Sequence, residues 1–145
     1  MKKAILSGLA CALLMSKLVF AQDVRNERIQ ISQDTMHAVV VDTITGYESV
    51  NYLVSAKTGQ SLIVNLDSDN LGSYFNLFAP GKIPGEDRAM FIGSTEGNQF
   101  EESYLTDGDY TVQVYIIRSM ARRNETANYT LTVNMTSKNE TDAAN

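Results

Sequence analysis

Cysteine is almost missing from this 145-residue chain: Cys11 is the only one, and it lies inside an N-terminal apolar stretch. From Gln22 onward there is none, which excludes disulfide staples, thiolate nucleophiles and cysteine metal sites. Histidine is equally scarce, with His37 alone, so metal centres built on several histidines are excluded by count. A Ser–His–Asp arrangement would have to use His37, and no nucleophile elbow accompanies it. Both prolines fall between Ala79 and Arg88, and no apolar run is long enough to cross a bilayer. Basic residues are few as well, 12 against 17 acidic ones.

The N-terminus accounts for part of that basic total. Lys2 and Lys3 precede the apolar run Ala4 to Met15, and Val19-Phe20-Ala21 supplies a small-residue cleavage signal. Residues 1–21 therefore read as a secretory signal peptide cut near Ala21. Cleavage before Cys11 as a lipoprotein is disfavoured, because Gly8-Leu9-Ala10 lacks the leucine expected three residues ahead. Removing Lys2, Lys3 and Lys17 leaves nine basic against seventeen acidic residues, a net charge of −8. Nucleic acid and anionic membrane surfaces are poor partners for such a surface, and a basic protein or a cation is a better one. The remaining length suits one domain with its own core, over residues 22–136. A polar tail is expected over residues 137–145.

After a polar start from Gln22 to Glu27, the pattern is one of short strands. Strands are expected at Arg28 to Ser32, His37 to Ile44, Val50 to Ser55, Leu62 to Leu66, Tyr74 to Phe78, Ala89 to Ile92 and Gln99 to Leu105. Two more are the clearest in the chain. Tyr110, Val112, Val114 and Ile116 alternate with Thr111, Gln113, Tyr115 and Ile117. Tyr129, Leu131, Val133 and Met135 alternate with threonines and Asn134. Thr45-Gly46 and Lys57-Thr58-Gly59-Gln60 are turn signals, and Ala79 to Arg88 is an irregular excursion. Eight or nine short strands with one apolar face each predict an all-β fold, a single antiparallel β-sandwich. Asp107-Gly108-Asp109-Tyr110 places a tyrosine after a turn, the setting of a tyrosine corner.

Few residues are candidates for chemistry. Asp67-Ser68-Asp69 and Asp107-Gly108-Asp109 contain calcium-type ligands, but neither continues into an EF-hand loop, and turn capping explains both. No pair of carboxylates stands out as a glycosidase pair. Four Asn-x-Thr sequons, at Asn124, Asn128, Asn134 and Asn139, matter only in a eukaryotic secretory pathway. The concentration of Arg118, Arg122 and Arg123 straight after the strand Tyr110 to Ile117 is the strongest local anomaly in an acidic chain. Taken alone it also fits a solvated basic turn. One helical turn there would bring Arg118 and Arg122 to the same side.

At these residues the chain resembles the bacterial periplasmic inhibitors of g-type (goose-type) lysozyme. The resemblance runs from about Arg28 to Met135. It includes Ile44-Thr45-Gly46-Tyr47, the Ala56-Lys57-x-Gly59-Gln60 turn, Phe78-x-Pro80-Gly81, Gly108-x-Tyr110, and Arg118-x-x-Ala121-Arg122 before a closing strand from Tyr129. Several of these pieces also occur in pre-peptidase C-terminal-type sandwiches; Gly46-Tyr47 and Arg118-x-x-Ala121-Arg122 are the specific ones. The stretch Ala79 to Gly97 is longer than in the family, and a Ser-Gly dipeptide near Val41-Asp42 is missing. The resemblance implies a periplasmic, non-enzymatic protein with no cofactor whose partner is a g-type lysozyme. It implies that Tyr47, Arg118 and Arg122 enter the lysozyme's substrate cleft. The alternative from another class is a stand-alone sandwich module that binds glycan or an envelope protein and has no lysozyme target. Oligomeric state is left open by either reading.

Overall fold

The computed structural model describes residues 22–137. The expected signal peptide, and all but the first residue of the expected tail, lie outside the described residues.

Strand formation follows the alternation seen in the sequence. The described residues form nine strands: β1 (Val24–Arg28), β2 (His37–Thr45), β3 (Ser49–Ala56), β4 (Ser61–Ser68), β5 (Ser73–Phe78), β6 (Phe91–Ile92), β7 (Gln99–Glu102), β8 (Gly108–Ile116) and β9 (Thr126–Thr136). They build two sheets, one in the order β1-β3-β8-β5-β6 and the other β2-β9-β4-β7. Apolar residues at every second position face inward. Val112 and Val114 of β8, Val50 and Val54 of β3, and Leu131 and Val133 of β9 are fully buried where the sheets meet. This is the β-sandwich expected from the sequence.

β8 occupies the middle of the five-stranded sheet, paired with β3 on one side and β5 on the other. Its inward stripe is the expected one, Tyr110, Val112, Val114 and Ile116, all buried. The Tyr110 hydroxyl accepts from the Thr106 N–H at 3.2 Å and lies 3.3 Å from the Thr106 hydroxyl. The hydroxyl thus ties the turn before β8 to its own strand, as a tyrosine corner does. A second tyrosine pair links the sheets. Tyr52 of β3 and Tyr129 of β9 meet hydroxyl to hydroxyl at 2.6 Å. Tyr52 also donates to Asp42 of β2 at 3.3 Å, and Asp42 pairs with Arg25 of β1 at 2.9 Å.

Three expected strand boundaries change. The first strand is Val24–Arg28, not Arg28 to Ser32: it lies in the stretch read as a polar start. β1 pairs in parallel with the edge of β3, and all but one of its side chains are exposed. An edge strand held by backbone bonds needs no apolar stripe, so periodicity does not reveal it. Ile29 and Ile31 do turn inward, but beyond the end of the ladder. The strand expected over Ala89 to Ile92 shortens to Phe91–Ile92, which meets β5 at only two registers. The strand expected over Gln99 to Leu105 stops at Glu102. Tyr104 takes a left-handed backbone (φ 62°), and Leu105 leaves the ladder, its N–H donating to the Gln60 carbonyl at 2.8 Å. Elsewhere each expected strand is present, with its ends shifted by up to three residues, as where β9 begins at Thr126 rather than Tyr129.

Two aspartates held by arginines contribute to the fold's acid sensitivity. Arg28 holds Asp109 with bonds of 3.0 and 2.7 Å and Ser55 donates to it at 2.6 Å; these keep its carboxyl well below the usual carboxylate range. At Asp42 partial burial raises the carboxyl, but the Thr43 N–H, Arg25 and the Tyr52 hydroxyl outweigh it and the net shift is downward. Burial pushes the Tyr129 hydroxyl up to about 12. Below about pH 4 the unfolded carboxylates take up protons before the folded ones do. Stability from Asp109 and Asp42 is therefore complete above about pH 4 and lost as pH falls through their folded values. Tyr129 acts at the other extreme: its contribution is present below about pH 10 and lost as pH climbs towards 12. Melting temperature should stay flat between these limits and fall on either side. Asp109→Asn should flatten the acid limb, and an acid limb unchanged in that variant would remove this assignment. Leu131→Ala, which opens a cavity between the sheets, should cost about 2–5 kcal/mol in a denaturant titration.

Candidate functional site: one end of the sandwich

Three connections pass from sheet to sheet at the same end of the molecule. They are the β2–β3 turn, the β4–β5 loop, and the segment 117–125 between β8 and β9. The strand registers bring their roots together: Thr45 of β2 lies opposite Thr126 of β9, and Ser73 of β5 opposite Ile116 of β8.

The third connection contains a single helical turn, α (Arg118–Ala121). The Arg122 N–H donates to the Arg118 carbonyl at 3.0 Å, so the two arginines stand one turn apart on one side. Both are exposed, while Ala121 is buried and Met120 packs against the core. The Arg-x-x-Ala-Arg spacing is thus explained locally. A small residue seats the turn on the end of the sandwich, and the arginines on either side reach solvent. Arg123 has another role. Its guanidinium donates to Glu125 at 2.9 Å and to the Ser119 carbonyl at 3.2 Å, which straps the turn down. Among the described residues neither Arg118 nor Arg122 takes part in an ion pair.

The β2–β3 turn brings Tyr47 to the same place. The Glu48 N–H donates to the Thr45 carbonyl at 3.1 Å, and the Glu48 carboxylate accepts from the Thr45 N–H at 2.8 Å. Tyr47 sits in the middle of this turn, half-buried against the core. Gly46 makes the contact with the helical segment. Its N–H donates to the Glu125 carbonyl at 2.9 Å. Its φ is +62°, and a β-carbon there would lie 2.7 Å from Asn124 Oδ1 and 3.6 Å from the Ala121 carbonyl. The left-handed backbone favours glycine, and a larger residue would also have to push the Asn124 side chain aside. Asn124 itself has φ 55°, a conformation asparagine tolerates. The structure thus brings the Tyr47 turn against the segment that carries Arg118 and Arg122.

The β4–β5 loop is the third member, and no sequence signal marked it as part of a site. The Ile117 N–H donates to the Gly72 carbonyl at 2.8 Å, and Gly72 lies so close to Met120 that a β-carbon would meet its sulfur at 2.1 Å. Asn70 donates to the Thr126 carbonyl at 3.1 Å. Asp69 accepts from the Asn128 backbone and side chain at 2.9 and 2.7 Å, which lowers its carboxyl from the usual range. Two other motif aspartates are also hydrogen-bonded: Asp107 accepts from the Thr58 N–H at 2.6 Å, and Asp109 takes Arg28. His37 lies at the start of β2, exposed, with Nδ1 at 2.5 Å from Asn134 Oδ1. It is not part of this end: Asn134 is near the far end of β9 from Thr126.

One carboxylate on each of the three connections is thus engaged by another group. Glu125 is held by Arg123, Glu48 by a backbone N–H, and Asp69 by Asn128. What this end presents is two unpaired guanidinium groups on a segment that abuts the turn of Tyr47, in a chain of formal net charge −5. Such a tip suits a partner with a carboxylate in a recess.

No family model matches the chain. A solved structure of a periplasmic lysozyme inhibitor of g-type lysozyme, PliG of Aeromonas hydrophila, is 30% identical; the match covers 80% of this chain and 100% of that one, with a TM-score of 0.72. The inhibitor of g-type lysozyme of Escherichia coli K12 is 24% identical over 131 residues, 90% of this chain and 96% of that protein. The Salmonella Typhimurium PliG structure shares the fold, at 22% identity and a TM-score of 0.57, over 77% of this chain and 98% of that one. With that identity to the Aeromonas protein along its whole length, and with its fold, the chain belongs to the family of periplasmic inhibitors of g-type lysozyme.

Proposed function

We propose that this chain inhibits a g-type lysozyme, without enzymatic activity of its own, by placing Tyr47, Arg118 and Arg122 in the enzyme's substrate cleft. The relatives described above are inhibitors of g-type lysozyme. The observation that carries the reading is the pair of exposed, unpaired arginines one helical turn apart, on a segment held against the Tyr47 turn by the Gly46 contact. A lysozyme cleaves a glycosidic bond by proton transfer from a carboxylic acid in its cleft. A guanidinium set against that group holds it ionised through a charge-assisted hydrogen bond and blocks the transfer. Tyr47 supplies an amphipathic aromatic anchor along a sugar subsite. The acidic body attracts a cationic lysozyme during encounter, and the basic tip then fits the cleft.

Purified protein beginning near Gln22 should suppress cell-wall lysis by a g-type lysozyme at micromolar concentration or below. No inhibition at that level removes the reading. Arg118→Ala and Arg122→Ala should each weaken inhibition by roughly 2–5 kcal/mol, because each leaves a buried carboxylate without its partner. Inhibition constants unchanged in both variants would refute the site assignment. Association should also slow as salt rises. Sedimentation with peptidoglycan in the absence of lysozyme tests the other reading: a glycan-binding module would co-sediment, and the inhibitor would not.

Gly46→Ala tests the frame rather than the contacts. The substitution strains the backbone and drives a methyl into Asn124, so it should lower stability by about 1 kcal/mol or more. It should also weaken inhibition although every contacting side chain remains. Full inhibition by a stable Gly46→Ala protein would show that the placement of the Tyr47 turn is not required.

A further inference from the structure

Leu71 is the most exposed large hydrophobic side chain among the described residues, at 89%. A single exposed leucine is ordinary on a protein surface. What distinguishes this one is how firmly its two neighbours are held, and to what. On one side the Asn70 N–H donates to the Ser68 hydroxyl at 3.1 Å, and the Asn70 side chain bonds the Thr126 carbonyl of β9. On the other, Gly72 donates to Asn70 Oδ1 at 2.9 Å, accepts from Ile117, and lies against Met120. The Ser73 N–H closes the loop onto the Asn70 carbonyl at 3.1 Å. The backbone on either side of Leu71 is therefore held, with its side chain in water, in a loop bonded to the segment that carries Arg118 and Arg122.

We propose that Leu71 is an apolar anchor for the lysozyme, docking on an apolar patch at the rim of the substrate cleft beside the entry point of the arginines. This rests on the inhibitor reading above and adds a third loop to the contact surface. Three properties favour the lysozyme as the occupant. The loop shares a backbone bond and a methionine contact with the arginine turn, so whatever receives Arg118 and Arg122 also approaches Leu71. The loop is ordered before binding, so docking costs little conformational entropy. An uncharged anchor at the margin complements a charged centre, since apolar burial slows dissociation while charge sets the encounter rate.

The measurement is the inhibition constant and the dissociation rate of Leu71→Ala and Leu71→Asp against a g-type lysozyme, with Leu71→Met as the conservative control. Ile83→Asp, at an exposed site on the β5–β6 connection at the opposite end, serves as a surface control. Leu71→Ala should weaken inhibition about ten- to fifty-fold, the loss expected for burying three fewer carbons. The change should appear in the dissociation rate. Leu71→Asp should weaken inhibition further, and Leu71→Met and Ile83→Asp should remain near wild type. Because the side chain is solvated in the free protein, all variants should melt near the wild-type temperature. If the wild-type protein inhibits and the folded Leu71→Ala and Leu71→Asp variants inhibit equally well, the anchor is refuted while the arginine plug stands. If these substitutions change only the self-association of the protein in sedimentation, the leucine serves a second copy and the proposal is likewise overturned. If the wild-type protein itself does not inhibit, the inhibitor reading and the anchor fall together.

Discussion

The apolar contact between the two sheets is the constraint on which everything else rests. Each sheet has one face it cannot leave in water, and the residues on that face alternate along every long strand. Val112 and Val114 on one sheet and Leu131 and Val133 on the other are fully buried by it. To build both faces from one chain, the backbone has to pass between sheets repeatedly. Three of those passages fall at one end, and crowding there brings Gly46, Gly72 and Ala121 into contact with neighbouring loops. The meeting of these three connections is a consequence of how the core is closed.

Electrostatics at that end follow from local pairing more than from net charge. The chain is acidic, yet its arginine turn is not neutralised, because the nearby carboxylates already have partners. Glu125 takes Arg123, Glu48 caps the turn of Tyr47, and Asp69 holds Asn128. Arg118 and Arg122 are left to solvent. An exposed ion pair contributes little stability, so leaving two arginines unpaired costs the fold little.

Much of the architecture was legible from residue order. The stripe Tyr110, Val112, Val114 and Ile116, the closing stripe from Tyr129 to Met135 and the tyrosine corner are all local features, set by a period of two and by turn chemistry. The elements that escaped are those without a local signature. β1 is a polar strand defined by its parallel partner β3, and β7 ends early because Tyr104 turns the backbone and Leu105 docks on the Lys57–Gln60 turn. Of the site, Tyr47, Arg118 and Arg122 were singled out through family resemblance, since a basic turn by itself is equally well a solvated one. The β4–β5 loop was not found, because Asn70, Leu71 and Gly72 read as an ordinary loop until their contacts are known.

By itself, then, the sequence determined the fold class, the inward face of most strands, the acidic composition and, with a single histidine, the absence of multi-histidine sites. These depend on composition and on neighbours a few residues apart. Only the tertiary structure decided which arginines keep free donors, that the Tyr47 turn abuts the arginine turn some seventy residues later, and that Leu71 stands beside them. Those facts depend on distant segments meeting at the end of a closed core. Glycines at 46 and 72 are small enough to let them meet.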